Sequence, residues 1–196
     1  MSDQRFLLPP DLLQLSRRRA LKGSGLVLSA GAVALLGGCD SLAATSKTGS
    51  ADMETDVRIL NTAIGAEYEA IAAYQVGAES GLLSKDVLSL AITFQGQHKA
   101  HVAALSSAVQ KLGGQAASAK GSYSFPVDKL KSQADVLRFA SGLEKGAVSA
   151  YLGAVPLFAD RALAQVAASI LGDEAMHWAV LRHALGEDPV PTAFMS

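Results

Sequence analysis

Residues 144–151, Glu-Lys-Gly-Ala-Val-Ser-Ala-Tyr, restate residues 67–74, Glu-Tyr-Glu-Ala-Ile-Ala-Ala-Tyr. Both fit E-x-x-A-[IV]-x-A-Y. His98 stands 31 positions after Glu67, with His101 three further on; Glu174 stands 30 positions after Glu144, with His177 three further on. The chain therefore carries one unit twice: a Glu, then a [His/Glu]-x-x-His pair. Agreement in residue type, order and spacing reads as an internal duplication.

Each unit has the pattern of a helical hairpin. Over 53–79, Ile59, Leu60, Ala63, Ile64, Ala66, Ala70, Ile71 and Tyr74 recur at helical spacing. Gly81 marks the end, and Ser84 caps a second helix over about 85–112, with Leu88, Ile92, Val102, Leu105 and Val109, stopped by Gly113-Gly114. A third helix covers about 132–155 with Val136, Leu137, Phe139, Ala140, Leu143, Ala147 and Tyr151; Pro156 kinks or ends it. A fourth covers about 160–185 with Leu163, Val166, Ile170, Leu171, Trp178, Val180 and Leu181, closed by Gly186, Pro189 and Pro191. Short links make helices one and two, and three and four, antiparallel neighbours. The connection over 113–131 is long. The expected fold is all-α, an antiparallel four-helix bundle with one long crossover between helices 2 and 3.

Composition agrees. The sequence is 49% hydrophobic, 18% charged and 6% aromatic, with 35 Ala, which excludes a disordered chain and disfavours an all-β one. A net charge of -1 argues against a nucleic-acid partner, and one Cys excludes an intrachain disulfide scaffold.

Residues three apart on a helix share a face, so each pair projects both side chains together. Glu67 is flanked within a turn by Ala63, Ile64, Ala70 and Ile71, Glu144 by Ala140 and Ala147, and Glu174 by Ile170, Leu171 and Trp178. Carboxylates on apolar stripes cost several kcal/mol each unless paired or bound to a cation. Lys99 and Lys145 each lie one residue off these stripes, so a bound metal is the economical answer. Glu67, His98, His101, Glu144, Glu174 and His177 are the candidate ligands. Tyr74 and Tyr151, two turns past their Glu, and Gln95, three before His98, are candidates to hydrogen-bond those ligands. Glu69 and His183 are expected at the surface, and Trp178 in the core.

These motifs resemble the ferritin-like superfamily of di-iron carboxylate four-helix bundles over roughly residues 55–186, with exported bacterial members looking closest. The resemblance implies that Glu67 and Glu144 match the lone Glu positions, Glu174 and His177 one full E-x-x-H pair, and His101 the His of the other. His98 stands where the family has a bridging Glu. Two divalent ions bring four positive charges against three matched carboxylates. An imidazolate bridge, an added hydroxide or a single bound ion could make up the difference. The implied cofactor is Fe, two ions or one, with Mn or Zn as alternatives.

The N-terminus reads as an address. Ser16-Arg17-Arg18-Arg19-Ala20-Leu21-Lys22 resembles the twin-arginine export signal, with Ala20 where Phe is usual. An apolar stretch from Gly25 to Leu36 follows, too short for a comfortable membrane span. Leu36-Gly37-Gly38-Cys39 resembles the lipobox of bacterial lipoproteins, which implies lipidation at Cys39. The expected organisation is a signal over 1–38, a flexible tether over 39–52, the bundle over 53–187 and a tail over 188–196. Export by the twin-arginine route would place the chain, lipid-anchored, on the periplasmic or cell-envelope face of a membrane. From Cys39 onward 12 Lys and Arg face 16 Asp and Glu, so that portion carries about -4.

Three functions stay open at this level. One is a redox enzyme of the oxidase or peroxidase type. The second is a non-catalytic envelope protein that binds metal or protects against stress. The third is a structural bundle retaining a relic site. Metal ions are the expected partners, a homodimer is left open, and cage-type storage is disfavoured for an anchored domain.

Overall fold

Four helices carry the fold of the computed structural model, which describes residues 39–195. They are α1 (Cys39–Glu79), α2 (Lys85–Lys111), α3 (Gln133–Ala154) and α4 (Arg161–Ala184). The stretch over 1–38, expected to be an export signal, lies outside the described residues. No helix among the described residues is long and apolar enough to cross a membrane.

The ends follow local chemistry. Ser84 Oγ accepts from the Val87 amide, Ser132 Oγ from Asp135 and Asp160 Oδ1 from Ala162, so α2, α3 and α4 each start on a side-chain cap. Gly81, Gly113 and Gly186 take φ of 70°, 75° and 75° just past the ends of α1, α2 and α4, where a side chain would be strained. Pro156 falls in a 3-10 turn over Val155–Leu157 that ends α3.

The start of α1 departs from expectation. Residues 39–52 continue the helix rather than forming an irregular tether, and residues 49–54 are exposed. No proline interrupts this stretch, and its Ala and Leu residues extend a helix already nucleated downstream at little cost. Four stripe residues also differ: Ala66 and Val166 are exposed, as are Ile92, at 57%, and Val180, at 40%. Ile92 lies six positions before His98, which rotates it about 120° off the buried face.

Two polar residues, Asp56 buried and Asn61 half-buried, tie the connections to α1. Asp56 accepts from the Ala159 and Asp160 amides at 2.9 and 3.0 Å, holding the α3–α4 link. Asn61 donates to the Gln115 carbonyl at 3.0 Å and accepts from the Ala117 amide at 2.7 Å, holding the start of the long crossover.

The core forms two apolar layers. One contains Leu60, Ile64, Val102, Leu105, Tyr151 and Ile170, among others; the second contains Tyr74, Phe94, Leu137 and Leu181. Along every helix the charged positions fall between these layers: Glu67 between Ile64 and Tyr74, His98 between Phe94 and Val102, Glu144 between Leu137 and Tyr151, Glu174 between Ile170 and Leu181. A fully buried Leu or Ile contributes about 1.5–3 kcal/mol, and these layers hold the polar positions in register.

Candidate metal centre

Each helix supplies its share to one buried cluster. Glu67 comes from α1, His98 and His101 from α2, Glu144 from α3, and Glu174 and His177 from α4. Five of the six are no more than 2% exposed. They form two overlapping groups, Glu67–His98–His101–Glu174 and His98–Glu144–Glu174–His177, each with ligand-type atoms within 4.8 Å of one another. His98 and Glu174 belong to both groups. All six candidate ligands read from the duplicated motif therefore converge.

The nitrogens of the three histidines are oriented differently. His101 Nδ1 lies 3.1 Å from Glu174 Oε1 and 3.4 Å from Glu67 Oε2, while its Nε2 lies 3.1 Å from Asp173 Oδ2. His177 Nδ1 lies 3.5 Å from Glu174 Oε2 and 3.6 Å from Glu144 Oε1. His177 Nε2 donates to Gln97 Oε1 at 2.8 Å and lies 3.4 Å from Asp173 Oδ2. Both rings thus aim Nδ1 inward and Nε2 at an outer acceptor, the arrangement that fixes the tautomer of a metal-binding histidine. Phe94 stacks on His177 with centroids 4.0 Å apart. His98 has no such outward side. Its Nδ1 donates to Glu67 Oε2 at 2.7 Å, and its Nε2 lies 3.3 Å from Glu144 Oε1.

The tyrosines cross between hairpins. Tyr151 Oη on α3 donates to Glu67 Oε1 on α1 at 2.6 Å, and Tyr74 Oη on α1 donates to Glu144 Oε1 on α3. Gln95 does not join them. Its amide donates to the Ile71 carbonyl and Gln75, and its oxygen accepts from Lys99, so it bonds outward to neighbouring turns instead of to a Glu or His of the cluster. Trp178 is buried, and Glu69 and His183 are exposed. Cys39 opens α1, and nothing described bears on its side chain.

Protons balance the cluster in the absence of metal. Burial alone would raise the Glu67 carboxyl, but the facing His101 ring and hydrogen bonds from His98 and Tyr151 outweigh it and bring it down to about 2. Glu144 is likewise held well below the usual carboxylate range, burial being overcome by His177 and His98. Burial pushes Glu174 up. Burial would lower the histidines, yet the facing carboxylates raise His98 to about 10 and His101 and His177 to about 9. Burial and the partner carboxylates push both tyrosines above their ordinary range, so they stay donors.

Among the described residues, four buried side-chain atoms make no directed hydrogen bond: His101 Nδ1, His177 Nδ1, and Glu174 Oε1 and Oε2. All four are metal-donor atoms, and they face the centre of the two groups. Buried polar atoms are seldom left so, and a cation at each group satisfies all four. The residues therefore fit a pair of metal ions.

Sequence reading missed Asp173 and Gln97. A signal was available, because Gln97 immediately precedes His98 and Asp173 immediately precedes Glu174. They are the same position of the duplicated unit.

A bundle of two like hairpins, with carboxylates and histidines turned inward from all four helices, defines a carboxylate–histidine-centred four-helix bundle. The model of the ferritin-like domain matches residues 55–187, and the chain belongs to that family. None of the curated proteins matches at a significant level. Among solved structures it is similar to a conserved hypothetical protein, rv2844, from Mycobacterium tuberculosis, at 23% identity over 73% of this chain and 99% of that one, TM-score 0.63. A ferritin-like, diiron-carboxylate protein from Bacillus anthracis matches at 17% identity over 68% and 97%, TM-score 0.58. A dodecameric thioferritin, the bacterioferritin-related protein from Bacteroides fragilis, matches at 19% over 74% and 93%, TM-score 0.62. At these identities the likeness bears on the fold.

Proposed function

We propose that this chain is an exported, lipid-anchored protein that holds two transition-metal ions, Fe or Mn before Zn, in the bundle core and uses them in oxidase- or peroxidase-type chemistry. The observation that carries the reading is the set of four orphaned donor atoms on His101, His177 and Glu174. Glu67 and His101 would hold one ion and Glu144 and His177 the other, with Glu174 reaching both. When bound, such ions supply redox capacity and Lewis acidity.

The chain's own residues prepare the place. Asp173 and Gln97 keep the Nε2 protons of His101 and His177 outward, leaving Nδ1 as the donor atom. Tyr151 and Tyr74 orient the two terminal carboxylates. A cleft of about 680 Å³ between α1 and α3 runs past Ala66, Ala70, Gly146 and Ala147 to Glu67, His98 and Glu144. It gives a small oxidant a path to the centre. The apolar layers on either side keep bulk water off the remaining faces.

The twin-arginine-like and lipobox-like segments support export and anchoring through Cys39. An anchored domain of this kind works alone or as a homodimer more readily than inside a closed cage.

The presence of His98 where the family places a carboxylate favours a second reading, a non-catalytic envelope metal-binding or stress-protection protein. Metal analysis by mass spectrometry on natively exported protein, combined with peroxide- and oxygen-consumption assays, separates the two. Two equivalents of Fe or Mn with turnover supports the redox reading. Tightly held metal without turnover supports the second, and no metal under any loading overturns both.

A further inference from the structure

We propose that His98 bridges the two metal positions, one ion on each ring nitrogen. This inference rests on the metal-binding reading and specifies how the pair is joined.

The contrast among the three histidines carries it. His101 and His177 each point one nitrogen inward and the other at Asp173 or Gln97. A terminal ligand looks like this, since the nitrogen away from the metal keeps its proton and needs an acceptor. His98 has no acceptor of that kind. Its Nδ1 faces Glu67, which belongs to the first group, and its Nε2 faces Glu144, which belongs to the second. The ring is 1% exposed, so water does not serve as the missing outer partner.

Charge points the same way. Glu67, Glu144 and Glu174 bring three negative charges against four on two divalent ions. As the second metal–nitrogen bond forms, the remaining ring proton of His98 leaves to solvent. The imidazolate then supplies the fourth negative charge. No net charge stays buried, and the added hydroxide that the sequence left open is not needed.

The bridge sets a distance. With metal–nitrogen bonds of about 2 Å on either side of a five-membered ring, the ions stand roughly 6 Å apart, against about 3.5–4 Å in two-metal sites joined through oxygen. A pair spaced this way is too wide to share a single oxygen atom, so each ion meets an incoming molecule separately.

The test loads the purified full chain with Cu²⁺ alone and reads metal content by mass spectrometry, metal–metal distance by X-ray absorption, and spin coupling by electron paramagnetic resonance. Wild type should hold two ions roughly 6 Å apart with weak antiferromagnetic coupling. His98→Gln should weaken the coupling to what Glu174 alone transmits, and His98→Glu should draw the ions to about 3.5–4 Å. A short separation in wild type, or coupling in His98→Gln as strong as in wild type, overturns the bridge. One ion per chain also overturns it while leaving metal binding intact, whereas no ion at all overturns the metal-binding reading itself. If a variant fails to fold, the wild-type distance decides alone.

Discussion

Tyr151 donates its hydroxyl to Glu67, a residue of the other hairpin, at 2.6 Å. Tyr74 returns the favour to Glu144. Each hairpin therefore finishes the ligand set of its partner. Tyr151→Phe leaves one oxygen of a buried carboxylate without its donor, at a cost of about 1–3 kcal/mol. The expected outcome is a lower melting temperature for the metal-free protein and weaker metal binding at the Glu67 position. Calorimetric melting and metal titration of the variant check both.

Asp173 lies within reach of His101 and His177 together, whereas Gln97 reaches only His177. Asp173→Asn is expected to weaken both metal positions, by about 10–100-fold. Gln97→Leu is expected to weaken one position only. Stepwise metal titration distinguishes them: two affinities should fall in the first variant and one in the second.

Glu174 offers one carboxylate oxygen toward each group. Loss of its side chain strips a negative charge from both positions at once. His98→Ala leaves each position with its own Glu and His plus Glu174. Glu174→Ala should accordingly abolish metal binding more thoroughly than His98→Ala. Equal loss, measured by metal content after dialysis, would show that the ligands are ranked wrongly.

The protonation pattern fixes a pH window for the metal-free fold. Glu67 falls to about 2 in the folded state, below its unfolded value of about 4.3, so its contribution is present above that value and is lost as pH falls toward 2. His101 and His177 rise to about 9 and His98 to about 10, above an unfolded value of about 6.5. Their contribution is full below pH 6.5 and is lost as pH climbs through 9 to 10. Buried Glu174, pushed up, subtracts from stability once it must ionise. Metal-free protein should be most stable near pH 5–6.5 and weaken on both sides. Metal affinity should rise with pH up to 9–10, because the histidine protons must leave first. Denaturant melts at pH 3, 6 and 9.5, with and without metal, check the sign on each side.

Much of this was legible before any coordinates. The helices and the six converging side chains follow from spacing, since a 3.6-residue repeat places Glu174 and His177 on one face wherever the helix lies. The caps at Ser84 and Gly113 were equally readable, because they depend on neighbours in sequence. Contacts set by the docking of one hairpin on the other were not. A residue seven past Glu67 shares its face, but only packing decides that Tyr74 reaches Glu144 instead. Gln95 illustrates the same limit: its face was read correctly, yet its long side chain bends to the Ile71 carbonyl and Lys99. The helical start of α1 was missed because Gly, Ser and Thr in a short polar run read as loop, while propagation from a formed helix is cheap.

Gln97-His98 and Asp173-Glu174 occupy the same place in the two hairpins, and both members of the pair differ in the same sense. One helix presents an amide and an imidazole where its counterpart presents two acids. The duplicated centre is thus polarised. The carboxylates of Asp173 and Glu174 sit on α4, and the equivalent turn of α2 carries none, although the two hairpins share one sequence pattern. An anionic or electron-rich visitor arriving through the α1–α3 cleft meets two inequivalent poles, and chain duplication has made that inequality available without altering the fold.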